Sequence, residues 1–371
     1  MPSTNVSLLT DLVLWACFFV SLLFGVIAQR AHFCTMGALS DAVNLGNWTR
    51  MRQWACAAGV AMIGYAAMSY LGWIDPARSI YATTTWLWLS ALLGGVLFGF
   101  GMVLASGCGS KTLLRVGAGS LKSVVVFLTM AVAAFATLKG VSAVARVATV
   151  DRVSVEFSSG TSLADLASVA FGGDVSLARV VLSLLLGGGL IGWALLGREF
   201  RQFDNLLAGV GIGGAVTAMW WVSGSLGHVM EHPETLQETF LATNSGRMEA
   251  LTFTAPMAYT LDWLIYFSDK NKVLTMAVAS VLGVVSGSAL HAIKTRSFRW
   301  QGFRNTEDLA NHLVGASLMG VGGVTAMGCT IGQGLSGVST LSLTSFVAVI
   351  GIVIGAIMAF RYQVRRLEQS E

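Results

Sequence analysis

Nine long apolar runs, separated by shorter polar connections, set the pattern of this chain. They fall near residues 11–29, 53–72, 86–105, 121–138, 180–197, 206–224, 273–292, 310–327 and 342–360. Each is long enough for a helix to cross a bilayer core of about 30 Å, so the pattern predicts nine membrane-crossing helices. The first run has no basic residue before it and leads into Gln29-Arg30 rather than a small-residue cleavage site, so it reads as a retained span. Another apolar stretch, 251–268, is interrupted by Pro256 and Asp262 and reads as a re-entrant or interfacial element on the outer face.

Composition places the whole chain in the membrane. Of 371 residues, 54% are hydrophobic and 11% charged, where a soluble domain carries about a quarter charged residues. The expectation is an all-α polytopic membrane protein with a single transmembrane transport domain over 1–371. Charge then orients it. With the N-terminus outside, the connections facing the cytoplasm hold 15 of the 23 Lys and Arg. A tenth span at 251–268 would move the bases at 294–304 and 361–366 to the other side, so the expected topology is nine spans with the C-terminus in the cytoplasm.

The chain also repeats itself. A shift of 221 residues aligns GGVLFGFGMVLASGCGSKTLL with GASLMGVGGVTAMGCTIGQGL, matching Gly94, Gly99, Gly101, Ala105, Gly107, Cys108 and Leu114 with Gly315, Gly320, Gly322, Ala326, Gly328, Cys329 and Leu335. The third and eighth spans are an odd number of crossings apart, so the two copies, approximately 86–138 and 307–360, are expected to run in opposite directions. Inverted repeats with broken helices place a ligand site near the bilayer midplane. Residues 228–268 read as an insertion on the outer face.

Five cysteines carry the candidate chemistry. Cys17 and Cys56 lie inside helical runs and read as small packing residues. Cys34, Cys108 and Cys329 instead sit where a run breaks, in QRAHFCTMGALSD, LASGCGSKTLL and TAMGCTIGQGL. Such breaks expose backbone N–H groups at a helix N-terminus, which suits an anion. A neutral thiol is a weak donor and a polarizable partner for another sulfur. Together these point to a sulfur-bearing anion.

Gly107, Gly109, Gly328, Thr330 and Gln333 are the loop residues expected to support that path. Lys111 and Arg115, at the inner end of the first glycine-cysteine loop, are placed to attract an anion or to activate a cysteine, although cytoplasmic loops are basic in any case. His32 flanks Cys34. Cys34 and Cys108 are expected at the cytoplasmic side and Cys329 at the outer side, so no disulfide between the halves is expected. No span carries a mid-membrane carboxylate, and no metal-ligand, phosphate-loop or nucleophile–base pattern occurs, so no catalytic residue, metal or cofactor is assigned. Nothing points to a nucleic-acid partner; the surroundings are membrane lipid. Hydrogen-bonded passage and covalent relay through a persulfide both stay open at this point.

The blocks RAHFCTMGALSD, GFGMVLASGCGSKTLLRVGAGSLKS and GVGGVTAMGCTIGQGLSGVSTLS resemble those of the YeeE/YedE family of inner-membrane sulfur transporters. The resemblance implies uptake of thiosulfate or a related sulfur species, an hourglass of inverted halves with short extra helices, and passage along Cys34, Cys108 and Cys329. It also implies a small TusA-like sulfur carrier in the cytoplasm as partner. The wording TAMGCTIGQGLSG is as similar to a branch associated with selenium metabolism, and a membrane sulfur-transfer enzyme is the other alternative. Longer segments at 139–178 and 228–268 depart from compact family members.

Overall fold

The computed structural model describes residues 3–233 and 235–369. Its helices, in chain order, are α1 (Ser3–Arg30), α2 (Thr35–Ser40), α3 (Thr49–Tyr70), α4 (Trp88–Leu104), α5 (Gly109–Gly117), α6 (Leu121–Lys139), α7 (Val141–Ala148), α8 (Leu163–Phe171), α9 (Val175–Leu195), α10 (Phe203–Trp221), α11 (Thr254–Ile265), α12 (Met276–Lys294), α13 (Thr306–Thr325) and α14 (Leu343–Glu368). Two antiparallel pairings of two residues each join 85–86 with 155–156 and 228–229 with 239–240. The chain is thus an all-α polytopic membrane protein.

Seven stretches are long and apolar enough to cross a bilayer: Val6–Leu45, Trp88–Gly117, Leu121–Lys139, Val175–Leu195, Phe203–Leu226, Met276–Lys294 and Leu343–Arg366. The sequence pattern expects two more, and their helices are α3 and α13, of 22 and 20 residues. Both have the length of a span. Both open on charged or polar residues, Arg50, Arg52 and Gln53 in one and Glu307, Asp308 and Asn311 in the other, and continue with many Gly and Ala, which dilutes their hydropathy. α11 has 12 residues and rises about 18 Å, short of a bilayer core.

Packing follows a paired order. α4 lies against both α14 and α13, and α13 against both α4 and α6; α1 runs along α12, and α10 along α3. Exchanging α4 with α13 and α6 with α14 turns the first contact into the third. Exchanging α1 with α10 and α3 with α12 likewise maps the fourth contact onto the fifth. The crossings are close because small residues fill them. A Cβ on Gly101 would stand 2.6 Å from the Gly315 carbonyl oxygen, and one on Gly315 would stand 2.6 Å from that of Gly101.

The stretch expected as an outer-face insertion is part peripheral and part core. Leu236 and Ile265 are exposed, whereas Met248, Leu251, Phe253, Met257 and Ala258 are 0–1% exposed. Met257 and Ala258 enter the core because α11 packs among α6, α12 and α13, and Met248, Leu251 and Phe253 lie on the segment that leads into it.

Candidate functional site

The three loop cysteines are delivered by one local geometry used three times. Two residues before each, the chain turns left-handed: His32 at φ 51°, Ser106 at φ 55° and Met327 at φ 58°. The next N–H then bonds back five residues, Phe33 to Ala28 O at 3.0 Å, Gly107 to Met102 O at 2.8 Å and Gly328 to Gly323 O at 2.8 Å. This is the Schellman ending of a helix, here closed by non-glycine residues in the left-handed position. The cysteine follows at once and starts the next turn.

Two of the sulfurs also cap the helical turn they start. The Gly37 N–H donates to Cys34 Sγ at 3.4 Å and the Gly332 N–H to Cys329 Sγ at 3.4 Å, whereas Cys108 holds the N-cap position of α5 without a side-chain capping bond. Oxygen side chains usually fill this role at helix N-termini. Cys329 Sγ accepts a second bond, from the Phe253 N–H at 3.3 Å, and Thr252 Oγ1 lies 3.9 Å away. With its lone pairs engaged by amides, a neutral thiol keeps its S–H free to donate.

The structure brings the three breaks together. The Cys34 and Cys108 thiols are neighbours, and Thr330 lies close to Cys108. Ser110 Oγ lies 3.2 Å from Cys108 Sγ. Cys108 and Cys329 act on each other electrostatically. The sequence reading expects these two on opposite sides of the bilayer, whereas the structure brings them near one another. Cys34 is 8% exposed and Cys108 and Cys329 are 0% exposed, all three as free thiols. Cys17 and Cys56 stand apart, Cys17 Sγ donating to Met276 O at 3.2 Å and Cys56 packing with Ala194 and Phe200.

The supporting residues divide into groups. A Cβ on Gly107 would meet Lys111 Cγ at 3.2 Å and Arg115 Nη1 at 3.6 Å, so both bases fold back over the Cys108 break. His32 feels the charges of Lys111, Arg50 and His291, which makes this end of the path basic. A Cβ on Gly109 would lie 3.4–3.6 Å from Met130, Met257 and Phe253, and one on Gly328 would meet Gln333 Cγ at 3.1 Å. Gln333 is engaged at both ends: its Nε2 donates to Ala326 O at 2.5 Å, and its Oε1 accepts from Ser345 Oγ at 2.5 Å. That amide ties the Cys329 break to the helices on either side of it. Tyr81 covers the same break, its hydroxyl donating to Gly332 O at 2.6 Å.

Phe253, Thr252, Met257 and Tyr81 are site neighbours that sequence reasoning missed. Phe253 and Thr252 reach Cys329 from 76 and 77 residues away and Tyr81 reaches Gly332 from 251, and nothing local marks them. The sequence does put two methionines, Met130 and Met257, in runs that come to flank Gly109, but methionine in an apolar run carries no positional signal of its own.

Comparison with known proteins identifies the family. The thiosulfate transporter TsuA of Escherichia coli (strain K12) is 26% identical over 338 residues, covering 90% of each chain. TsuA of Spirochaeta thermophila is 25% identical over 361 residues, covering 92% of this chain and 97% of the relative. The probable transporter YedE of Escherichia coli matches a shorter part, 31% identical over 98 residues, or 26% of this chain and 23% of the relative. The profile of the family described as sulphur transport matches residues 30–358, a stretch that takes in all three breaks, and the chain belongs to that family.

Proposed function

We propose that the chain takes up thiosulfate, or a closely related sulfur-containing anion, across the inner membrane along a path formed by Cys34, Cys108 and Cys329. The observation that carries this reading is the threefold recurrence of one geometry that seats a buried thiol at a helix break. Two relatives named as thiosulfate transporters, aligned over at least 90% of their own length, support the substrate. A thiolate would repel the anion, so passage proceeds by hydrogen bonds from neutral thiols, handed from Cys329 to Cys108 and Cys34. The exchange symmetry of the helix contacts supports two inverted halves, with 86–138 and 307–360 as matched copies and Cys108 and Cys329 as their tips. In this topology of nine spans the N-terminus is outside, and Lys111 and Arg115 line the cytoplasmic exit.

Energetics give the path a second requirement. Moving a divalent anion inward against about 100 mV, negative inside, costs about 4.6 kcal/mol. An uncoupled path therefore relies on a cytoplasmic acceptor that consumes the solute, the role of a TusA-like sulfur carrier. The nearness of Cys34 to Cys108 favours one second reading, a relay. There a cysteine sulfur attacks the outer sulfur of thiosulfate, the S–S bond breaks, and a persulfide and sulfite are formed.

Uptake of labelled thiosulfate into sealed vesicles holding the full chain tests both. The wild type and Cys17→Ala are expected to transport, while Cys108→Ser and Cys329→Ser lose uptake. Equal uptake by all four would remove the cysteine path. A persulfide adduct found by mass spectrometry after exposure to thiosulfate would replace hydrogen-bonded passage with the relay, and preference for a labelled selenium compound would reassign the substrate.

A further inference from the structure

We infer that Glu249 is a proton-binding site on the outer face whose charge governs access to the Cys329 break, so that an anion enters when the carboxyl holds its proton and is held off when it does not. The inference rests on the transport reading above and adds a titratable control to it. Glu249 lines a cavity of about 330 Å³. Met327 and Gly328, from the Cys329 break, and Thr252, whose hydroxyl approaches Cys329 Sγ, form part of the same wall. A solute at that break therefore lies in the field of the carboxyl.

Three features single out this carboxyl. The first is its fixed position. The Glu249 carbonyl oxygen accepts from Ser223 Oγ at 2.5 Å, just past the end of α10, and its Oε1 accepts from the Ser245 N–H at 2.8 Å. Backbone and carboxylate are thus both held while the side chain borders the cavity. The second is the lack of a counter-ion. Among the described residues none of the ion pairs includes Glu249, and the one arginine on the same wall, Arg146, is paired with Asp151 at 3.0 Å. That pair sums to zero, so the net charge of the cavity is the charge of Glu249. The third is the apolar remainder of the wall, which includes Ile80, Leu87, Leu138, Pro256 and Val324. A charge facing such a surface is screened less than one in open solvent, and its field reaches further.

The groups around the carboxyl leave the titration to it. Tyr81, on the loop before α4, and Tyr259, on α11, both feel its charge, and burial holds both hydroxyls above the ordinary tyrosine range, so neither ionises where a carboxyl does. Cys17 on α1 feels it as well, with its thiol engaged by Met276 O. Asp262, further along α11, is paired with Lys272 at 2.6 Å, and Arg247, on the same segment as Glu249, turns to Ala82 O at 3.0 Å. α6, α12 and α13 bring Leu138, Ala277 and Gly323 through Thr325 to the wall, none of them charged. Burial pushes the Glu249 carboxyl up from its ordinary 4.5, so the proton is taken up as the outer medium turns from neutral to mildly acid. Protonation then removes the repulsion of a divalent anion without changing the shape of the wall, and uptake should rise as the outer pH falls through the folded value and level off at a low rate above it.

The test uses the full chain in sealed vesicles, with the internal pH held constant and labelled thiosulfate outside. Initial uptake by the wild type should rise about tenfold as the outer pH is lowered from about 8 to about 5. Glu249→Gln should transport near the wild-type acid rate at every pH, with a flat profile, while Glu249→Asp should keep a slope. A slope that survives in Glu249→Gln, or a wild-type rate that falls as the medium turns acid, overturns the proposal. Should Glu249→Gln not fold, Arg146→Gln, which leaves the Asp151 charge facing the same cavity, must move the midpoint of the slope to higher pH, and an unmoved midpoint overturns it equally. Infrared spectra of the purified protein across pH separate the two readings. A protonated-carboxyl band that titrates and is lost in Glu249→Gln, without any thiosulfate uptake, keeps the proton site and removes the transporter, whereas uptake with a flat wild-type profile and no such band does the reverse.

Discussion

The capping that Cys329 provides and the passage role proposed for its thiol can be pulled apart by substitution. Its sulfur accepts from the Gly332 N–H at 3.4 Å and the Phe253 N–H at 3.3 Å, and the residue is 0% exposed. Cys329→Ala strands both donors in the core. A buried donor left without a partner costs about 1–3 kcal/mol, and because sulfur is a weak acceptor the lower end applies, giving about 2 kcal/mol for the pair. Cys329→Ser keeps an acceptor for both and should cost less than about 1 kcal/mol. Thermal unfolding of the purified protein in detergent should therefore rank wild type, Ser and Ala in descending order, with a clear gap before Ala. Uptake should not follow that order: both variants lose it, because neither carries a thiol. Equal stability of the Ser and Ala variants would refute the capping role of sulfur, and wild-type uptake by the Ser variant would refute the need for the thiol.

Three further outcomes are expected. Gly101→Ala places a Cβ 2.6 Å from the Gly315 carbonyl oxygen and should cost about 1–3 kcal/mol in detergent unfolding, while Gly188→Ala, with nothing within 4 Å, should not destabilise. Cys17→Ala loses the bond to Met276 O, about 1 kcal/mol of stability, and keeps full uptake. Burial raises the Glu249 carboxyl above its ordinary value of 4.5, against bonds from Ser245 and Asn244 that favour the charged form. The folded state then holds the proton more tightly than the unfolded one, so this residue's contribution to stability falls as pH rises from about 4.5 and levels off above the folded value. Glu249→Gln should remove that slope when unfolding is followed across pH.

The spans were legible because apolar runs of bilayer length have few other readings, and the match between the copies was legible because glycines at backbone crossings cannot drift. The segment at 228–268 was harder to place, since its exposed ends carry the composition of a surface loop while Met248 to Ala258 are held by contacts distant in sequence. The breaks themselves showed only through their cysteines. Nothing in His32, Ser106 or Met327 announces a left-handed turn, a conformation that glycine would advertise, and so the common geometry of the three loops emerged only from the backbone. The amide partners of Cys329 escaped for the same reason, as Phe253 is 76 residues away.

The glycine crossings bear on how the molecule moves. Where Gly101 and Gly315 meet, the two backbones touch directly, with no side chains between them to slide or repack. Rocking one half against the other would have to pry those backbones apart and leave a gap with nothing to fill it. The cheaper motion is local. Tyr81 sits over the Cys329 break on a loop between two helices, held by its hydroxyl bond to Gly332 and by the edge of the Trp220 ring. A shift of that loop would leave the Gly101–Gly315 contact intact, whereas a rigid rotation of the halves would not.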